Sequence, residues 1–405
     1  MQTVTIERLG HQGDGIADGP IYVPGVLPGE LVTGEVAHGI MADPKIETPS
    51  EFRVKAPCSH AKSCGGCQLQ HARDDFVADW KRDVALRALG AQGVTLPEIG
   101  PVITSPPQSR RRATFSVRRT KKGALAGFHI KRSDTVVSVP QCQLVTPKIA
   151  SSLPMLEELA TIGASRKGAL AVLVTEGDNG LDVTVTGGKS MGTPLRAALA
   201  DFGNRHGLTR LTWGDESLSF RQLVLNFDGI EITPPPGAFL QATAHGEQVL
   251  REVVIEIVGG AKRVVDLFAG CGTFALPISK WARVHAVEGD RAMTSALDQG
   301  WRMGKDLRHV THETRDLFRN PLLPDELARF DAAVIDPPRA GAEAQIAQLA
   351  KAEIPVIAHV SCNPLTFARD SKRLQDAGYA LTRLEIVDQF RWSTHVELVG
   401  AFTHA

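Results

Sequence analysis

Apolar positions pass through three rhythms along the chain. Over residues 1 to about 52 they form short runs, among them Val4 to Ile6, Ile21-Tyr22-Val23, Leu31-Val32 and Val36, separated by Gly10, Gly13, Gly15, Gly19, Gly25 and Pro28-Gly29. Runs this short between turn residues predict a small five-stranded barrel of the oligonucleotide-binding kind, with a purely structural β-module as the rival. A helix-compatible stretch, residues 70–89, then leads through proline-rich chain at 97–107 into a β-rich region reaching residue 232. Strands are predicted there at 112–117, 125–130, 135–139, 169–174, 181–186 and 223–227. Pro234-Pro235-Pro236-Gly237 is the clearest linker. Beyond it, strand signatures at 263–267, 284–288, 309–311, 332–335, 356–360 and 381–387 alternate with helical candidates at 273–281, 291–300, 342–349 and 365–377. A seventh strand at 396–402 follows. This rhythm predicts a doubly wound sheet whose ligands lie at the carboxyl ends of its strands. Three domains are therefore expected, at 1–52, 53–233 and 234–405, with the 70–89 helix able to pack on the last of them.

At 405 residues, 43% hydrophobic and 22% charged, the composition is that of an ordinary soluble protein. Residues Met1 to Glu7 lack the basic and apolar regions of a signal peptide, and no eighteen apolar residues run uninterrupted. A cytoplasmic protein with no membrane partner is expected. The formal net charge of zero hides a local excess. Nine basic residues and no acid lie between Gln108 and Arg132, namely Arg110, Arg111, Arg112, Arg118, Arg119, Lys121, Lys122, Lys131 and Arg132. Phe115, Val117, Leu125, Phe128 and Ile130 interleave with them, which predicts strands with one packed and one basic face. Such a face can track phosphates, a solvated surface being the alternative.

Four of the six cysteines stand in turn-rich chain. Cys58, Cys64 and Cys67 form C-x5-C-x2-C beside Gly65 and Gly66, and Cys142 follows Pro140-Gln141. Four thiolates so placed suit a tetrahedral metal site or a cubane iron–sulfur cluster, because glycine lets the backbone wrap closely around the ligands. Spacing alone does not choose between zinc and [4Fe-4S], and four unrelated buried thiols are the bland alternative.

The chemistry-bearing motifs fall at predicted strand ends. Asp266-Leu267-Phe268-Ala269-Gly270-Cys271-Gly272-Thr273-Phe274 makes a glycine loop able to hold a nucleoside-bearing cofactor. It also satisfies a relaxed dinucleotide pattern with Glu288 as ribose partner, but Asp266 at the first strand's end and the lack of further dehydrogenase machinery favour S-adenosylmethionine. Asp336-Pro337-Pro338-Arg339 ends the fourth strand, where two prolines fix the acid's backbone. Ser361-Cys362-Asn363-Pro364 ends the fifth, and His395-Val396-Glu397 opens the seventh. A thiol for nucleophilic addition and a carboxylate for proton removal are the groups needed to alkylate an unreactive pyrimidine carbon. A nucleic-acid methyltransferase is the leading expectation.

Together these residues resemble the RNA uracil-C5 methyltransferases, and among them the 23S rRNA 5-methyluridine enzymes with an N-terminal TRAM barrel and a [4Fe-4S] cluster. The resemblance spans nearly the whole chain, from Val26-Leu27-Pro28-Gly29-Glu30 and the four cysteines through Phe239-Leu240-Gln241 to the glycine loop, Asp336-Pro-Pro-Arg, Val360-Ser-Cys-Asn-Pro and His395-Val-Glu. It implies a multidomain α/β fold: an OB-like TRAM β-barrel, a β-rich central domain with the iron–sulfur site, and a Rossmann-like class I methyltransferase domain. It further implies Cys362 as nucleophile, Glu397 as base, Asp336 and Arg339 as active-site supports, and Gln241, Asp266, Phe268, Gly270, Gly272, Glu288, Asp316 and Asp336 as S-adenosylmethionine contacts. Cys58, Cys64, Cys67 and Cys142 would hold the cluster, and the basic residues from Arg110 to Lys122 would meet RNA, 23S rRNA before tRNA, in a monomer. A non-catalytic RNA-binding assembly factor is the other class that fits the barrel and basic strands. Two departures stand out: His359 where the family has Tyr, and residues 389–394 where it has approximately Met-Phe-Pro-His-Thr.

Overall fold

Strands buried on both faces must be apolar on both faces, and Val264-Val265, Ala332–Ile335 and Ile357 to Val360 satisfy that with aliphatic residues broken only by His359. In the computed structural model, which describes residues 1–404, they lie side by side in an eight-stranded sheet. Its spatial order is Val310–Thr314, Arg283–Glu288, Arg263–Leu267, Ala332–Ile335, Val356–Ser361, Glu397–His404, Tyr379–Asp388 and Ile103–Thr104. The first five are parallel, and Glu397–His404 inserts antiparallel beside Val356–Ser361. That insertion pairs Ser361 with Leu398. Cys362 and Glu397 are the next residues outward on the two strands, so the register itself brings them to one edge.

Helices cover both faces. Ala244–Val258 and Arg291–Met303 pack on one side, and Asp74–Ala91, Glu343–Ala352 and Pro364–Asp376 on the other. The helix Asp74–Ala91 inserts Ala85, Ala88 and Leu89 into this second core although its sequence lies far upstream. The helix after Cys362 starts where Asn363 accepts from the Leu365 amide at 3.1 Å and Pro364 occupies the first turn. A β-hairpin, Leu225–Phe227 with Ile230–Ile232, also joins the first core, although it precedes the proline-rich linker.

The central region is a seven-stranded sheet in the order Val136–Val137, Gly123–His129, Arg112–Thr120, Ala169–Gly177, Gly180–Thr186, Arg210–Trp213 and Glu216–Ser219. Leu153–Gly163 and Thr193–Arg205 pack on one of its faces. These two helices and Ala244–Val258 fall where the sequence pattern predicted no element. Residues 2–48 form two three-stranded sheets around a shared core of Ile6, Ala17, Val23, Val26, Val32 and Met41. Among the described residues no helix is long and apolar enough to cross a membrane.

Candidate active site

The glycine loop leaves the strand Arg263–Leu267 through left-handed backbone at Phe268, Gly270 and Gly272, φ +62°, +55° and +93°. At Gly272 a side chain would press within 2.8 Å of Leu276, so both the turn and its packing require glycine there. The loop is held by Glu288, whose Oε2 accepts from the Gly270 amide at 3.0 Å. Asp266 lies wholly buried beneath it: Oδ2 accepts from the Ala275 amide at 2.9 Å, while Oδ1 has no partner. Burial, with the charges of Asp336 and Glu288 added, holds its carboxyl far above the usual range. An orphaned buried acceptor beside a glycine loop fits a cationic or N–H-rich ligand group such as the amino-acid end of S-adenosylmethionine. Asp316 stands exposed at the rim, accepting from Phe318 and Arg319, and the rings of Phe268 and Phe318 meet at 5.3 Å.

The candidate reacting groups gather at the next strand ends. Cys362 is half-buried on a cavity of about 490 Å³ whose lining includes Arg8, Arg87, Arg339, Leu365 and His395. Asn363 ties this loop to the neighbouring one through its Nδ2, 3.0 Å from the Arg339 carbonyl. Burial pushes the Cys362 thiol up to about 11, and the charges of Glu397 and Asp336 push the same way against Arg339. Asp336 is itself pushed up to about 7 by burial, offset by a 3.1 Å bond from Gln241 Nε2. Glu397 is also held well above the usual carboxylate range, by burial and then by Asp336, against the bond from Gln389.

Two features were not legible in the motifs. Gln389, buried, donates to Gln241 at 2.6 Å and to Glu397 at 3.0 Å. The segment that carries it is clamped from upstream. Lys81 donates to Asp388 Oδ1 at 2.6 Å and to the Phe390 carbonyl at 3.1 Å, Arg391 pairs with Asp74, and Trp392 donates its indole N–H to Asp74 at 3.2 Å. Trp392 has φ +59°, a conformation a bulky side chain holds only under constraint, and its carbonyl accepts from Gln68 and Leu69 at 2.9 and 3.0 Å. His359, by contrast, lies away from the site. It is fully buried between the sheet and Phe367, its rings stacked at 4.9 Å, and neither nitrogen has a partner, so burial drives its pKa down to about 3.

The four cysteines of the upstream set converge as well. Cys58, Cys64, Cys67 and Cys142 are free, buried and line one small cavity with Phe128, Val139 and Leu144. Amides of Gly66 and Leu144 donate to the sulfurs of Cys64 and Cys142 at 3.3 and 3.4 Å. Burial raises the thiols of Cys64 and Cys142 and takes Cys67 to about 12, each aggravated by the others' charge. Among the described residues no three His, Cys, Asp or Glu side chains are gathered closely enough to hold a single metal ion.

Of the basic residues, Arg111 needs correction. It is 8% exposed, pairs with the buried Glu247 and donates to the Gln241 carbonyl, so its charge holds the catalytic unit to the central sheet and is not free for phosphate. Arg110, Arg112 and Arg119 are partly buried, Arg112 lying over Phe239 at 5.8 Å, whereas Arg118, Lys121 and Lys122 are exposed.

Known proteins resemble this chain along nearly its whole length. An RNA methyltransferase of Rhizobium meliloti is 44% identical, with 98% of each chain covered. The 23S rRNA (uracil(1939)-C(5))-methyltransferase RlmD of Halomonas elongata is 32% identical over 99% of this chain and 89% of its own. The chain belongs to the RNA uracil-C5 methyltransferase family. A profile of the tRNA (uracil-5-)-methyltransferase family matches residues 301–404, the part that carries Asp336, Cys362 and Glu397. The tRNA (uracil-54, C5)-methyltransferase of Pyrococcus abyssi, solved with S-adenosyl-L-homocysteine, has the same fold, with a TM-score of 0.78 over 99% of both chains at 23% identity. As a family member the chain is an RNA (uracil-5-)-methyltransferase dependent on S-adenosylmethionine.

Proposed function

We propose that this enzyme methylates C5 of one uridine in 23S rRNA through a covalent adduct between Cys362 and C6. The observation that carries the reading is the antiparallel register that sets Cys362 beside Glu397, with Asp336 and Arg339 on the adjoining strand end. Uracil C5 is too weak a nucleophile to take a methyl group unaided. Addition of the Cys362 sulfur to C6 moves the C5–C6 π electrons toward C4–O4 as an enolate, whose C5 can then attack. The donor's sulfonium supplies the methyl group and, when bound, would place a positive charge beside these carboxyl groups. Glu397 then takes the C5 proton, and the electrons of that C–H bond re-form the double bond as the C6–S bond breaks and thiolate returns. Arg339 faces the anionic side of the target nucleotide, and Asp266, Glu288, Gln241 and the glycine loop hold the donor. Arg118, Arg119, Lys121 and Lys122 track phosphates outside the pocket, with Arg110 and Arg112 at its edge. The target base must be extruded from its stack to reach Cys362.

The RlmD relative supports 23S rRNA as the substrate. Purified enzyme with a labelled methyl donor, offered unmodified 23S rRNA and tRNA, tests it: mass mapping is expected to find one 5-methyluridine in the rRNA. Label confined to tRNA rejects the rRNA assignment, and label in neither rejects the activity.

The four thiols fit a [4Fe-4S] cluster, being unpaired, mutually repelling and furnished with amide donors to sulfur. Cys58, Cys64, Cys67 and Cys142 would hold it, supplying a structural tie between the upstream loop and the central sheet. Anaerobically purified protein is expected to be brown and to carry about four irons per chain. Stoichiometric zinc without iron overturns the cluster.

A further inference from the structure

We propose that Gln389 is the positioning residue of the catalytic base: it orients the Glu397 carboxylate and thereby sets the rate at which the methylated adduct is released. The inference rests on Glu397 being that base. The Gln389 amide is not free to turn, because its Oε1 accepts from the Ala242 backbone N–H at 2.7 Å. Its Nε2 must therefore be the group that meets Gln241 Oε1 at 2.6 Å and Glu397 Oε1 at 3.0 Å. Gln241 in turn spends its own Nε2 on Asp336 at 3.1 Å. Two buried amides thus run between the site's two carboxylates, and each ends on its carboxylate with an N–H.

This arrangement has a chemical consequence at a named atom. Glu397 Oε1 accepts from Gln389, which leaves Oε2 as the oxygen with no hydrogen-bond partner and the one free to take the C5 proton. A donor on Oε1 also favours the ionised carboxylate, the form that can act as a base, against the burial and the Asp336 charge that oppose it. The amide is held from behind as well as from its tip. Gly246, in the first turn of the helix Ala244–Val258, comes so close that a side chain there would lie 2.6 Å from Gln389 Cβ. Gln389 itself is 1% exposed. Nothing else in the structure donates to Glu397 among the described residues, so the base depends on this one bond for its orientation.

The test compares Gln389→Met, which keeps length and loses the donor, with Glu397→Gln and the wild type. Each is mixed with substrate RNA and labelled methyl donor, and the denaturation-resistant protein–RNA band is followed in time and across pH. Glu397→Gln is expected to trap labelled adduct. Gln389→Met is expected to accumulate it transiently, about tenfold above wild type, with kcat down by a similar factor, KM for RNA within twofold, and the midpoint of the release step moved to higher pH. A merely structural defect would not move that midpoint. Should the Met variant not fold, Gln389→Asn, too short to reach Ala242 and Glu397 together, is read in the same assay. Release by the folded variant at the wild-type rate and pH midpoint, while Glu397→Gln still traps adduct, overturns the positioning role. Absence of a trapped adduct in Glu397→Gln overturns the base assignment itself and the proposal with it.

Discussion

Cys362→Ala is expected to abolish both methyl transfer and every covalent protein–RNA species, while Glu397→Gln retains the first half of the reaction and stalls in the second. The difference follows from where each group acts. Without the sulfur there is no enolate and C5 stays inert, so no label should reach RNA or protein. Without the carboxylate, C6 addition and methyl transfer proceed, but the C5 proton has no acceptor, and turnover should fall by about 10²–10⁴. The same substitution has a second, opposite effect. Glu397 is one of the charges that hold the Cys362 thiol up near 11. Where Glu397 is ionised, replacing it with a neutral amide lowers that pKa, so more thiolate exists and the adduct should form faster in the variant than in the wild type. Time courses of the labelled band on denaturing gels at several pH values measure both effects. Wild-type turnover by Glu397→Gln, or residual activity in Cys362→Ala, would place the chemistry elsewhere on this edge.

The second large effect concerns stability. Lys81 and Asp388 are each 1% exposed and meet at 2.6 Å, with the Phe390 amide as a further donor to the carboxylate at 3.0 Å. Burial alone pulls the Lys81 pKa down and the Asp388 pKa up, and each charge restrains the other's shift. Lys81→Met removes the partner and leaves an uncompensated buried carboxylate, a loss of about 3–5 kcal/mol. The double variant Lys81→Met/Asp388→Asn, with no charge left to strand, should recover much of that. Denaturant midpoints of the two single variants and the double variant give the coupling directly; equal, additive losses would show that the pair is not energetically joined.

How much of this was legible in the sequence depends on the range of the interaction that carries it. The parallel strands were visible because burial on two faces leaves aliphatic runs such as Val264-Val265 and Ala332 to Ile335, and the glycine loop because its left-handed residues restrict what can stand there. The helix Ala244–Val258 was not seen. Its Val253-Val254-Ile255 and Ile257-Val258 favour strands locally, and only packing against the sheet overrides them. The basic stretch was legible as composition and misleading as function at Arg111, whose partner Glu247 lies 136 residues away. Gln389 stood in plain view within a segment that departs from the family pattern. Its role needed Ala242 and Glu397 to be placed around it, and no local spacing encodes that.

Lys81 and Asp388, 307 positions apart, are joined across nearly the whole polypeptide, as are Gln68 and Leu69 with the Trp392 carbonyl. Such contacts close very long loops, whose entropic cost falls due before any reward from them is gained. During synthesis the helix that carries Lys81 emerges about 300 residues before the segment that carries Gln389, so the clamp on that segment closes only once both are out. A chain cut before the strand Glu397–His404, however well its earlier portions fold, keeps the Cys362 nucleophile and lacks the carboxylate proposed to free it from RNA.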